Sequence, residues 1–100
     1  MFSIPQSLLL VVDVQGKLAH LMHDKDKLFF HIRGLIKAAH IMDVPIVWTE
    51  QVPEKIGATI PEIADLLKDI KPIPKASFSC CGDKVFLQMF KRHCRKQVII

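Results

Sequence analysis

The chain has 100 residues, the size of one small domain, and half of them are hydrophobic while 24% are charged. This composition is typical of a globular domain with a substantial core and excludes a disordered segment. No apolar run approaches the roughly 18 residues that span a bilayer, and the N-terminus Met-Phe-Ser-Ile-Pro-Gln lacks the basic start of a secretory signal. We therefore expect a cytoplasmic protein without a membrane partner.

The charged residues and the cysteines narrow the partners further. The 14 basic and 10 acidic residues give a net charge of +4, and much of the excess lies in residues 91–96. We interpret this segment as the solvated end of a helix, where cations oppose the negative end of the dipole, and expect no nucleic-acid partner. Three cysteines do not form an even disulfide framework, which favours a reducing compartment.

The stretch from Leu8 to Gly16 predicts the first strand. Five consecutive aliphatic residues, two of them β-branched, are followed by a turn-like glycine, which is typical of a strand buried on both faces. Asp13 stands where this strand ends, and ligands of open α/β sheets bind beyond the carboxyl ends of the strands. Asp13 is therefore either a functional carboxylate or a residue that only bonds the following turn.

The next segments predict a βαβ unit. Apolar residues recur at three- and four-residue steps from Leu28 to Ala39, so that one helix face meets a core, and either Asp24 or Asp26 is expected to cap the helix. Residues 45–49 then predict a second short strand. A helix between two such strands implies a parallel pair.

The remaining pattern extends this unit. Polar residues of the loop 50–57 are expected to point into the same crevice as Asp13, and a second helix with an apolar stripe follows from Pro61 to Ile70. The Pro-flanked stretch that leads into 75–79 fits only an edge strand. Asp83 can cap a third helix, and residues 97–100 predict a fourth strand. Because no helix covers that strand, we interpret residues 1–100 as the N-terminal part of a larger α/β domain, with no second domain.

Asp13 and Lys75 are the pair that this topology brings to one crevice. Each follows an apolar segment, and helical sequence lies between them. A lysine beside a carboxylate in a partly buried cleft can serve as an acid/base or electrostatic pair. An ordinary ion pair is the alternative.

Three motifs together resemble a known family. They are Leu-Leu-Val-Val-Asp-Val-Gln at the N-terminus, Trp-Thr-Glu-Gln-Val-Pro-Glu-Lys-Ile-Gly-Ala-Thr-Ile-Pro-Glu-Ile after the second strand, and Pro-Lys-Ala-Ser-Phe-Ser-Cys after the third. In this order they resemble the isochorismatase-like hydrolases, and most of all the branch with a Thr-Glu-Gln loop. The resemblance covers essentially the whole chain.

The resemblance implies a Rossmann-like three-layer sandwich, with a mostly parallel sheet and helices on both faces, and a triad of Asp, Lys and Cys. By motif the Asp of the triad is Asp13, which would take the thiol proton, and the Lys is Lys75, which would favour the thiolate, while the nucleophilic cysteine would lie beyond Ile100. It also implies hydrolysis of a small amide or related C–N bond without a cofactor, in a homo-oligomer. A truncated or catalytically inactive module that serves as an oligomeric scaffold is the alternative.

Four further residues are predicted to contact a small-molecule substrate: Gln15, Trp48, Gln51 and Phe78. A small apolar cleft with a few polar groups suits such a ligand. Trp48 could equally lie in the core, and Gln15 could instead orient Asp13 or a neighbouring loop.

Two other kinds of site are weighed and set aside. Cys80 and Cys81 are adjacent, whereas paired zinc ligands are usually two to four residues apart, so we predict no metal site. Either thiol could act as a nucleophile near Lys75, but that would depart from the family. The nicotinamidase relatives carry an Asp-x-His metal motif after the second strand, where this chain has Thr49-Glu50-Gln51.

Overall fold

The computed structural model describes residues 3–100, and its centre is a sheet of four parallel strands. The strands are β1 Ser7–Val12, β2 Ile46–Gln51, β3 Ile73–Lys75 and β4 Gln97–Ile99. Their order across the sheet is β3-β2-β1-β4. The predicted α/β class with a parallel sheet is confirmed. The Pro-flanked segment is an edge strand, as expected for a strand that contains Pro74.

Helices lie on both faces of this sheet. The α-helices of the described residues are α1 Gly16–His20, α2 Lys25–Ile41, α3 Pro53–Ile56, α4 Pro61–Ala64 and α5 Lys84–His93. Short 3-10 turns occupy Ile4–Gln6 and Cys80–Gly82. The fourth strand follows α5 directly, so each parallel neighbour is reached through a helical crossover.

Alternation along the strands divides the core in two. On one face, side chains of β1 and β2 pack against α2 and α4; this cluster includes Leu9, Val11, Trp48, Ile36 and Ile63. On the other face, the intervening side chains pack against α5; this cluster includes Leu8, Leu10, Val47, Ile73 and Phe86. The middle strands are thus buried from both sides, which explains their continuous apolar sequence.

The register of the strands brings particular residues to the carboxyl edge of the sheet. Val12 pairs with Thr49 across β1 and β2, and Gln51 pairs with Lys75 across β2 and β3. Because β2 extends two residues beyond its pairing with β1, β3 pairs with a later part of β2 than β1 does. Lys75 therefore lies further toward the carboxyl edge of the sheet than Asp13.

The predicted C-terminal ends of the second strand and of the helix after it were wrong. Residues 50 and 51 belong to β2 rather than to a loop, because pairing with the edge strand extends it. The predicted helix over 61–70 is helical only to Ala64; the chain then continues in turns with i to i+3 bonds. These turns still place Leu67 in the core.

The ends of the two long helices differ from each other. Asp83 accepts a hydrogen bond from the Phe86 N–H at 2.8 Å, so the predicted cap of α5 is confirmed. Helix α2 begins after Asp24, but this residue has a φ of 48° and its side chain makes no capping bond. The predicted cap is therefore not formed by Asp24. The short helices α1 and α3 were not predicted.

Candidate active site

Asp13 stands at the first position beyond β1. Its N–H donates to the Thr49 carbonyl at 3.2 Å, which continues the pairing with β2 by one residue. Its φ of 54° then turns the chain out of the strand direction. The Thr49 hydroxyl donates to Asp13 Oδ1 at 2.8 Å. The Asp13 side chain remains 28% exposed, so one side of the carboxylate is open to the crevice.

Lys75 reaches the same carboxylate from two strands away. It ends β3, roughly 10 Å from β1 across the sheet, and β2 lies between these two strands. The Lys75 Nζ lies 3.1 Å from Asp13 Oδ2, and its side chain is only 1% exposed. The structure therefore brings together the two residues that the sequence predicted to meet.

The Lys75 ammonium is surrounded by oxygen atoms. Besides Asp13 Oδ2, it donates to the side-chain oxygen of Gln51 and to the carbonyls of Ser77 and Phe78, the latter two at 3.2 and 3.3 Å. An ammonium has three N–H donors and no acceptor. Four oxygen atoms therefore share three hydrogens, which is how a buried charge is satisfied.

Gln51 connects this ammonium to the backbone around it. Its side-chain oxygen accepts from Lys75, and its Nε2 donates to the Ala76 carbonyl at 3.0 Å. Both ends of the amide are thus bonded to residues of the segment that carries Lys75.

Gln15 is buried, and its side chain bonds the end of β2 and the loop that follows it. Its side chain is among the largest fully buried ones, at 1% residue exposure. Nε2 donates to the carbonyls of Gln51 and Gly57 at 3.0 and 2.6 Å, and Oε1 accepts from the Gln51 N–H at 2.5 Å. Three roles were predicted for Gln15, namely substrate contact, orientation of Asp13 and orientation of a neighbouring loop, and these bonds correspond to the last of them.

A close approach of two turns makes these bonds geometrically possible. Gly16 has a φ of 47°, and a Cβ at this position would meet the Ile56 carbonyl oxygen at 2.5 Å. Its N–H donates to the Ala58 carbonyl at 3.1 Å. A residue with a side chain could not sit here without moving α3 away from the turn that holds Gln15.

Glu50 is a second buried carboxylate near the site. It is 8% exposed, and its Oε2 accepts from both the N–H and the hydroxyl of Thr59, at 2.7 and 2.9 Å. Strand alternation directs Glu50 to the opposite side of β2 from Thr49 and Gln51. Its bonds therefore fix the far end of the loop 52–60.

Two of the predicted substrate-contacting residues lie apart from the ion pair. Trp48 is 5% exposed within the core, where its indole N–H donates to the Ile70 carbonyl at 2.9 Å. This is the core alternative stated above. Phe78 is 99% exposed, although its carbonyl contacts Lys75. Substrate contact by Phe78 stays a prediction.

A small cavity lies beside Lys75. Its volume is about 230 Å³, and it is lined by Val52, Pro53, Glu54, Pro74, Lys75, Ala76 and Asp83. Val52 has a φ of 34°, an uncommon conformation for a β-branched residue, and its N–H donates to the Lys75 carbonyl at 2.8 Å. Strained backbone of this kind is concentrated at functional sites.

The cysteines are unpaired thiols in this structure. Cys80 is half-buried, whereas Cys81 and Cys94 are exposed. Within residues 3–100, no group of three or more His, Cys, Asp or Glu side chains is arranged to hold a metal ion. In the same range, no helix is long and apolar enough to cross a membrane.

Thr49 is the residue of this site that the sequence did not indicate. It is 1% exposed and bonds Asp13 through both its carbonyl and its hydroxyl. A signal was present, because parallel pairing places the last residues of β1 and β2 side by side. A buried hydroxyl then needs an acceptor, and Asp13 is the nearest one.

Comparison with known proteins adds to this geometry. The sequence model of the isochorismatase domain matches residues 7–100. The chain belongs to the isochorismatase-domain family. The suspected resemblance is thereby confirmed over nearly its whole length.

Individual members of the family are similar to this chain at low identity. Isochorismatase domain-containing protein 2 of Danio rerio is 30% identical over 94 residues, which are 94% of this chain and 47% of that protein. The chain thus spans about half the length of this curated relative.

Solved structures show the same relation. A structure described as MAR1 ribonuclease from Caenorhabditis elegans has a TM-score of 0.83 and 31% identity, covering 97% of this chain and 50% of the other. The YcaC gene product of Escherichia coli, described as an octameric hydrolase of unknown specificity, has a TM-score of 0.90 and 23% identity, covering 99% and 50%. The second likeness shows a shared fold.

Proposed function

We propose that the intact domain to which this chain corresponds is a hydrolase of small amides or related C–N bonds. The observation that carries this proposal is the Asp13–Lys75 contact of 3.1 Å at the carboxyl edge of the sheet. One member of the pair is buried and the other is open to the crevice. Membership of the isochorismatase-domain family supports a hydrolase-type function but does not specify the substrate.

In the proposed mechanism Asp13 is the base. It would take the proton of a cysteine thiol supplied by the part of the domain beyond Ile100, and the thiolate would attack the amide carbonyl. Asp13 would then return the proton to the leaving amine. A water molecule that loses a proton to Asp13 would then attack the thioester that remains, the thiolate would leave, and Asp13 would pass that proton to it, which restores both the thiol and the carboxylate.

Lys75 contributes charge rather than a proton. Its four oxygen partners engage the ammonium hydrogens, so its positive charge is fixed beside Asp13 and beside the place where the thiolate would form. A fixed cation in a water-poor site favours both anions more than water does. Its loss should therefore lower the rate of thiolate formation and of attack.

The test is release of ammonia or amine from a panel of small amides. The intact domain should hydrolyse at least one of them, and Asp13→Asn or Lys75→Met should lower kcat/KM by roughly a thousandfold or more. Gln88→Met changes an exposed residue of α5 and serves as the control. Absence of hydrolysis by the intact domain would favour the non-catalytic scaffold instead.

The 100-residue chain provides a second control. Because the proposed nucleophile is not among its residues, it should hydrolyse none of the amides. Activity from this chain that is lost in Asp13→Asn would overturn the position of the nucleophile, and Cys80→Ser and Cys81→Ser would then show whether either thiol replaces it.

RNA is a second candidate substrate, since one solved relative is described as a ribonuclease. The basic residues 91–96, however, lie at the amino edge of the sheet. Six residues of β1 separate that edge from Asp13, a distance of roughly 20 Å. RNA cleavage that depends steeply on salt and requires Asp13 would favour this candidate.

A homo-oligomer is proposed as well. The Escherichia coli protein of the same fold is described as octameric. Light scattering on the intact domain should give a mass of at least two chains; a single chain's mass at micromolar concentration would contradict it.

A further inference from the structure

The hydrogen bonds around the ion pair follow a pattern that the reaction itself does not require. Asp13 and Lys75 could form a pair of flexible side chains, as exposed ion pairs do. Instead each of them is bonded to a side chain of β2 that has no direct chemical role in the proposed mechanism. Asp13 is bonded by Thr49, and Lys75 by Gln51.

The Thr49 hydroxyl determines which oxygen of the carboxylate is used. It donates to Oδ1 at 2.8 Å, while Lys75 approaches Oδ2 at 3.1 Å. A hydroxyl and an ammonium on different oxygens fix the rotation of the carboxyl plane. Each oxygen has two lone pairs, so each can accept one more donor from the open side of the crevice.

Gln51 determines where the ammonium lies. Thr49 and Gln51 are two residues apart on β2 and therefore project to the same side of the strand. The Gln51 side-chain oxygen binds Lys75, and its Nε2 is bonded to Ala76, one residue beyond Lys75. The amide therefore cannot rotate without losing both bonds.

Gln15 in turn fixes Gln51. It bonds the N–H and the carbonyl of Gln51 together, as a neighbouring strand would, and also bonds Gly57. At 1% exposure, Gln15 cannot reach a substrate in the crevice. A continuous path of hydrogen bonds thus leads from the loop at Gly57 through Gln15 and Gln51 to Lys75 and Asp13.

We propose that Thr49 and Gln51 are positioning residues of the Asp13–Lys75 pair and that Gln15 holds Gln51 for this task. The inference rests on the proposed function for its catalytic consequence, but its geometric content is independent of any substrate. Both glutamines then act on the ion pair, and the substrate meets only the open side of Asp13.

The kinetic test uses isosteric variants of the intact domain. Thr49→Val and Gln51→Met should each lower kcat by roughly 10- to 100-fold with little change in KM, because misplacement of the pair acts on the reacting state. Thr49→Ser restores a hydroxyl and should recover most of the rate. Gln88→Met, on the exposed side of α5, should leave both constants unchanged.

Rescue by the conservative variant separates positioning from mere loss of stability. Thr49→Ser keeps a hydroxyl that can donate to Asp13 Oδ1, whereas Thr49→Val keeps only the shape of the side chain. A variant that was only less stable would have a smaller folded fraction, measured by circular dichroism, with an unchanged kcat per folded molecule.

A third measurement needs no activity. The Lys75 ammonium should give a slowly exchanging ¹H–¹⁵N signal, because it is buried and bonded to four oxygens. Its exchange should be at least about tenfold faster in Gln51→Met than in Gln88→Met. Equal exchange in these two variants, or an unchanged kcat of Thr49→Val and Gln51→Met in an active domain, would overturn the inference.

The proposed function and this inference fail in different ways. If the wild-type domain hydrolyses nothing, the hydrolase proposal fails, and the ammonium exchange alone still decides whether Gln51 positions Lys75. If hydrolysis is found and Asp13 is required for it, but Gln51→Met retains the wild-type rate and ammonium exchange, the positioning inference fails by itself.

Discussion

At the carboxyl edge of the sheet, Lys75 and Glu50 are withdrawn from water, whereas at the amino edge Arg95 and His93 are only half-buried. Arg95 donates to the carbonyls of Ile4 and Pro5, which tie the first turn to the end of α5. Lys75, Glu50 and Arg95 are all hydrogen-bonded, but only the two at the carboxyl edge are removed from solvent.

This difference distinguishes charges that stay partly solvated from charges whose burial has to be offset by hydrogen bonds. Taking an ion out of water costs several kcal/mol even after relaxation, and the attraction of a partner seldom returns more than that. The charges of the amino edge stay partly in water, so little desolvation free energy is lost there. At the carboxyl edge one lysine and one glutamate are desolvated, and hydrogen bonds to each of them offset that loss.

The largest expected loss of stability follows from removing the counter-charge of the buried Lys75. Asp13→Asn keeps the shape of the side chain but leaves the Lys75 ammonium without a counter-charge, so the free energy of unfolding should fall by roughly 3 kcal/mol. Lys75→Met should be less harmful, since water reaches the carboxylate of Asp13. Urea unfolding measures both.

The double variant Asp13→Asn/Lys75→Met sharpens this prediction. It removes both charges and should be more stable than Asp13→Asn alone, because no unpaired ion remains in the interior. Equal stability of the single and double variants would show that the buried ammonium is not the source of the loss.

The next effect concerns the other buried carboxylate. Glu50→Ala leaves the N–H and hydroxyl of Thr59 without their acceptor, and it should lower the free energy of unfolding by roughly 1.5–3 kcal/mol. Glu62→Ala removes an exposed carboxylate and should change it by no more than about 0.5 kcal/mol. Similar losses in both variants would remove the contrast between buried and exposed acids.

At the amino edge the expected loss is smaller. Arg95→Met removes the donors to Ile4 and Pro5 but keeps much of the aliphatic stem, so the free energy of unfolding should fall by about 1 kcal/mol or less. Arg92→Met, at an exposed position, is the matched control. A loss for Arg95→Met as large as that for Asp13→Asn would erase the distinction between the two edges.

The smallest effect is one of pH. Burial lowers the pKa of His93 below its ordinary value of 6.5, and the neighbouring Arg95 and Arg92 lower it further. The unfolded chain therefore binds more protons than the folded one below pH 6.5, so the contribution of His93 to stability is complete above that pH and is lost as the pH falls.

An NMR titration should give His93 a pKa below 6.5. The variant His93→Gln should show a weaker rise of unfolding midpoint between pH 5 and 6.5 than the wild type. A pKa at or above 6.5, or identical slopes for the two proteins, would contradict this account of the amino edge.

The sequence was sufficient to predict the parallel sheet and the meeting of Asp13 with Lys75. Each residue follows an apolar strand, and the carboxyl ends of parallel strands share one edge, so the argument needs only the periodicity and the topology. The catalytic role of the pair stays a prediction.

The positions of Gln15 and Gln51 could not be predicted in the same way. Gln51 belongs to β2 only because it pairs with the edge strand β3. The bonds of Gln15 depend on a loop 36 to 42 residues further along the chain. The sequence left two positions for Trp48, the core or the cleft, because an indole suits both. Only its bond to Ile70 distinguishes the two positions.

The left-handed backbone at Asp13 has a consequence for how this position tolerates change. Asp, Asn and Gly adopt a φ of 54° with less strain than Glu or Ala. Selection for folding alone would therefore favour these three residue types, and selection for a carboxylate would then leave aspartate alone. Glutamate, usually the nearest chemical substitute, is therefore disfavoured by the backbone independently of its charge.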